Sequence, residues 1–100
     1  MKTLTVKSSF NLNDDNQNHI VPVGAKLNFI KETYHFYHAY YESHNHKALV
    51  EHKGNEFELR VHRVHGSKSF KLLNCKPTHS ESIDTYWNSL FEEECPLEIR

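Results

Sequence analysis

Residues 48–61 read Ala48-Leu49-Val50-Glu51-His52-Lys53-Gly54-Asn55-Glu56-Phe57-Glu58-Leu59-Arg60-Val61, and their pattern decides the fold. Apolar and polar side chains alternate on both sides of Gly54-Asn55, which is the period of two half-buried strands. A two-residue turn with glycine first joins such strands into a hairpin. That turn predicts Val50 opposite Leu59, Ala48 opposite Val61 and His52 opposite Phe57, all on an inward face. Leu49, Glu51, Glu58, Arg60 and His62 then point outward, where water screens the facing pair Glu51 and Glu58.

Upstream, Leu4, Val6, Ser8, Phe10 and Leu12 share one parity and predict a further strand. The stretch from Asn13 to Asn18 holds no apolar residue and reads as an exposed loop. Pro22-Val23-Gly24 makes a turn, after which Leu27 and Phe29 open a strand running toward the aromatic segment Tyr34 to Tyr41, with a break near Glu32-Thr33. Downstream, Ser69 to Leu72 is a short strand that Pro77 stops. Ile83, Trp87, Leu90 and Phe91 recur at helical spacing, giving one apolar stripe that Ser80 or Ser82 would cap. Glu92-Glu93-Glu94 opposes the helix dipole, so an early end is expected before Pro96. The fold class is mainly β (α+β): a small antiparallel barrel or curved sheet of five to six strands with one C-terminal helix.

One hundred residues make a single domain, because halving such a chain leaves neither part enough apolar surface to bury. Twelve Lys and Arg against thirteen Asp and Glu give a net charge of -1, which removes the field that would collect nucleic acid or an anionic membrane. No stretch reads as a secretory signal or a membrane span, so the expected location is cytoplasmic. Cys75 and Cys95 are the only thiols and are expected reduced, Cys75 as an inert buried residue rather than a nucleophile paired with His79. The chain lacks a nucleophile elbow, a Walker loop, a zincin helix and a dinucleotide fingerprint, and no enzyme is expected.

The compositional anomaly is nine histidines: His19, His35, His38, His44, His46, His52, His62, His65 and His79. Residues two apart on a strand share a face, so His44 and His46 could jointly offer imidazole nitrogens to a divalent metal such as zinc or nickel, with His62 or His65 added. The string His44-Asn45-His46, with Glu51 five residues on, resembles the ligand part of the first cupin motif. That resemblance implies two histidines and a glutamate holding a metal inside a β-barrel. His38 and Glu58 stand where the motif has glycines, and no Pro, Gly and His motif follows. Protonating all nine histidines would add nine charges to the net of -1 and reach +8, so solubility or assembly should change between neutral and mildly acidic pH.

The aromatic segment is divided by parity. Tyr34, Phe36 and Tyr40 form the more apolar set and are expected to fill the core, leaving His35, Tyr37 and Tyr41 on the other face as partner-binding residues. The leading expectation is therefore a non-catalytic protein-interaction module of the inhibitor, immunity or accessory-subunit type, with a protein partner and no cofactor. Aromatic edge strands also favour a two-fold homodimer. Its rivals are the metal-binding β-barrel using His44 and His46, and a ligand-binding barrel whose pocket is lined by the Tyr34 to Tyr41 rings.

Overall fold

The computed structural model describes residues 2–15, 17–38, 40, 43–63, 69–79 and 84–97. Its elements are β1 (Lys2–Thr5), β2 (Phe10–Asp14), β3 (Gln17–Val21), β4 (Lys26–His38), β5 (Ser43–His52), β6 (Asn55–Arg63), β7 (Phe70–Leu72), β8 (Cys75–Pro77) and α1 (Trp87–Leu90). Every strand pairing is antiparallel. Five strands form a curled sheet in the order β1-β4-β5-β6-β7, and three more form a second sheet in the order β3-β2-β8. This is the expected mainly β domain, with the curved sheet completed by a smaller one.

Both sheets feed one core. Leu27, Ala48, Val50, Leu59, Val61 and Leu72 come from the large sheet, Phe10, Leu12 and Val21 from the small one, and Trp87, Leu90 and Phe91 from the C-terminal segment. Burying a large aliphatic or aromatic side chain contributes about 1.5–3 kcal/mol, so these residues set the architecture. Asn74 joins the two sheets: its amide donates to the carbonyls of Glu58 (2.8 Å) and Asn13 (3.1 Å), while its Oδ1 accepts from the Arg60 N–H (3.0 Å). No helix among the described residues is long and apolar enough to cross a membrane.

The central hairpin forms with the expected inward set but a different turn. Lys53 and Gly54 occupy the turn with φ of +51° and +83°, and His52 pairs with Asn55. Both central residues are left-handed, as a type I′ turn requires, and this turn matches the twist of the flanking strands. The register moves by two, so Val50 faces Phe57 and Ala48 faces Leu59 while every side chain keeps its face. Phe57 takes the His19 ring as its neighbour at 4.3 Å between centroids, in place of the expected His52.

Three other expectations change. The first strand is two: Leu4 and Val6 are buried beside the large sheet, the chain then turns, and Phe10 and Leu12 enter the small one. Within the polar stretch expected as a loop, Asn13 pairs with Asn18 and Asp14 with Gln17, so these four residues belong to the β2–β3 hairpin. Backbone pairing satisfies such residues without any apolar side chain. The helix is a single turn, whose Trp87 ring packs on Phe91 at 4.6 Å and whose indole N–H donates to the Glu93 carbonyl (3.1 Å). Ser80, Ser82 and Ile83 lie outside the described residues.

Candidate metal centre

The site begins with two irregularities in β4. Its pairing with β5 runs Phe29 to Val50, then Glu32 to Ala48, then His35 to His46 and Tyr37 to His44, with register shifts between Phe29 and Lys31 and between Glu32 and Tyr34. Each shift inserts one extra residue on β4, which is the signature of a β-bulge. Glu32, His35 and Tyr37 therefore all stand opposite inward-facing partners, because directly paired residues share a face. Thr33, at the second irregularity, anchors it by donating its hydroxyl to the Lys47 carbonyl (2.9 Å).

This arrangement brings His35, His44 and His46 together, with one ligand nitrogen from each lying within 4.8 Å of the others. His35 Nε2 and His44 Nδ1 are 2.8 Å apart, and the His35 ring centroid is 4.7 Å from that of His46. His46 Nδ1 lies 3.0 Å from Glu32 Oε1. The His46 side chain is fully buried, and its Nε2 has no hydrogen-bond partner. A buried polar atom left in that state costs free energy unless something else engages it. Phe70 walls the site on one side at 5.9 Å from the His46 ring, and Tyr37 lies 4.7 Å from the His44 ring.

Burial sets the electrostatics. Desolvation pushes the His44 pKa below its ordinary value, and the neighbouring His35, Arg63 and His46 push it further in the same direction. His46 is likewise held below its ordinary value by desolvation, against the opposing pull of the Glu32 carboxylate. Both shifts favour the neutral ring, the form in which imidazole coordinates a metal. A groove of about 250 Å³ lined by Glu32, Thr33, Tyr34 and His35 runs alongside the cluster.

Searches against family profiles, curated proteins and solved structures find nothing that matches this chain.

The predicted residues therefore stand on geometry alone. His44 and His46 meet as their spacing on a strand implied, and both are buried on β5. Glu51 does not join them: its carboxylate accepts from the Asn28 amide (3.0 Å) and the Gly54 N–H (3.1 Å), so the cupin-type ligand set is not assembled. His62 faces away, its Nδ1 2.9 Å from Asn45 Oδ1, while His65 and Tyr41 lie outside the described residues. His35, expected at a partner-binding surface, is half-buried in the cluster, and Tyr37 beside it is half-exposed.

The core assignment of Tyr34, Phe36 and Tyr40 is corrected, since they are 47%, 43% and 85% exposed. Parity did not divide buried from exposed rings here: Tyr37, of the other set, is itself 49% exposed, and it is His35 that turns toward the cluster, where its Nε2 meets His44 Nδ1. Sequence reasoning missed His35 and Glu32 as site members, because only the two bulges place them opposite His46 and Ala48. Elsewhere, Asp14, Asp15 and Glu58 form an acidic group already engaged by Arg60 and by the Glu58 N–H. Cys75 and Cys95 are both free thiols whose pKa values burial raises, that of Cys95 to about 12, and His79 is exposed.

Proposed function

We propose that this protein binds a divalent transition metal, zinc foremost, through His35, His44 and His46. The single observation that carries the reading is the buried His46 Nε2, left without a partner while Glu32 holds the opposite nitrogen of the ring. A carboxylate on the far nitrogen fixes the tautomer and raises the basicity of a ligating histidine. Tetrahedral zinc with bonds of about 2.0–2.1 Å separates its ligand nitrogens by roughly 3.3 Å, so the close His35 and His44 pair needs only a small opening. Three protein nitrogens leave a fourth position for water or another ligand. Calorimetric titration of tag-free protein with zinc tests this, with metal analysis after dialysis. Near-stoichiometric binding that is lost in both His35→Ala and His46→Ala supports the reading, and undiminished binding in both variants overturns it.

A second reading is the protein-interaction module, favoured by the exposed rings of Tyr34 and Phe36 on β4 and of Tyr40 beyond its end. Aromatic side chains bury large area at small entropic cost, which suits a contact surface. Affinity capture from the native host with the parent chain and a Tyr34→Ala, Phe36→Ala variant tests the face, and equal recovery of every partner removes it.

A further inference from the structure

β1 pairs with β4 only over residues 26–29, and among the described residues no strand lies along that side of β4 beyond Phe29, although β5 follows the other side as far as His38. An unpaired strand edge presents a row of N–H and C=O groups that another strand can take up. The opposite edge of the sheet is blunted. β7 is three residues long, Lys71 bridges to Tyr86, and the Leu72 N–H donates to the Thr85 carbonyl (2.6 Å). Edge strands are ordinarily protected by proline, bulges or charge. The two register shifts of β4 end at Tyr34, and residues 34–38 include no proline and no Asp, Glu, Lys or Arg.

The residues on this stretch complement themselves. Tyr34 and Phe36 are two apart on the strand, so their exposed rings share one face of the sheet. Antiparallel pairing of two identical strands closes on a two-fold axis. With that axis at His35, Tyr34 lies directly opposite Phe36 of the second copy, and Phe36 opposite its Tyr34. Two aromatic cross-strand pairs then form on one face, a favoured combination. The His35 ring is drawn toward its own β5, where its Nε2 lies 2.8 Å from His44 Nδ1. Because residues 34–38 carry no formal charge at neutral pH, the two copies set no like charges against each other.

We infer that this protein forms a two-fold dimer in which the open edge of β4 pairs with that of a second copy, Tyr34 against Phe36 on both sides of the axis, so that the two large sheets become one. The inference rests on the interaction reading above, names the occupant of its aromatic face, and is independent of the metal. Pairing of so short a stretch buries less than the roughly 1,200 Å² of a stable interface, which places the dissociation constant in the micromolar range.

The test is sedimentation of tag-free protein in the presence of chelator, from about 1 μM to about 1 mM so as to bracket that constant, with backbone hydrogen exchange measured at both ends. A reversible monomer–dimer equilibrium is expected, with slower exchange across residues 34–37 at the higher concentration. Tyr34→Lys, Phe36→Lys sets lysines opposite each other twice and should raise the dissociation constant about tenfold or more, with an unchanged circular dichroism spectrum. Phe36→Lys alone removes both aromatic pairs and serves as the readout if the double variant does not fold. A monomer at every concentration, a dimer whose added protection lies outside β4, or a dimer that these variants leave intact overturns the inference. The wider interaction reading then stands or falls separately, on the capture experiment.

Discussion

Glu32 Oε1 lies 3.0 Å from His46 Nδ1 across a pair of strands whose register is interrupted on either side of the glutamate. The contact exists because those interruptions turn a charged residue inward on a strand whose flanking Lys31 and Thr33 are exposed. Glu32→Gln keeps the shape and removes the charge. Loss of such an outer partner costs about 10–100-fold in metal affinity. A chelating-dye competition should show weakening of that order, with the circular dichroism spectrum unchanged.

Acid should destabilise the metal-free protein from the histidine side. His44 and His46 have folded-state pKa values below their ordinary 6.5, so the unfolded chain takes up protons at a higher pH than the folded one. Their contribution to stability is fully present above about 6.5 and is lost as pH falls from there through the lowered folded values. Denaturant midpoints measured in the presence of chelator should hold level from pH 8 to 7 and decline below about 6.5. A His44→Asn, His46→Asn variant should show a shallower decline over that window.

Gly54 sits at φ +83° with open space where a Cβ would point, so backbone conformation and not crowding excludes other residues. Gly54→Ala should cost about 1–2 kcal/mol, the strain of a left-handed alanine, read as a lower thermal midpoint. Gly54→Asn should cost less, because asparagine tolerates that region.

The two thiols should be silent in the folded state. Cys75 is buried and Cys95 partly so, and desolvation raises both pKa values, leaving little thiolate at neutral pH. A thiol-reactive chromogen at pH 8 should react slowly with native protein and release two equivalents in denaturant. Fast reaction of one thiol in the native state would contradict the burial of that residue.

Much of the large sheet was written locally. The inward faces of β5 and β6 follow from strict alternation, and a two-step change in register left them intact, because a period of two survives any even slip. Apolar Trp87, Leu90 and Phe91 were bound for the core whatever the length of their helix. The shared face of His44 and His46 was equally plain from their spacing.

What stayed hidden depended on residues far apart in the chain. Whether Tyr34 or His35 turned inward was a contest between hydrophobicity and hydrogen bonding, and the outcome hinged on partners nine and eleven residues away on β5. No spacing rule announces a bulge, so the arrival of Glu32 and His35 beside His46 could not be counted out along one strand. Alternation is a property of a single chain segment, whereas a binding site is a meeting of several. The strand pattern therefore dictated the buried faces of β5 and β6, and strand pairing chose the face of β4 and the three imidazoles that meet there.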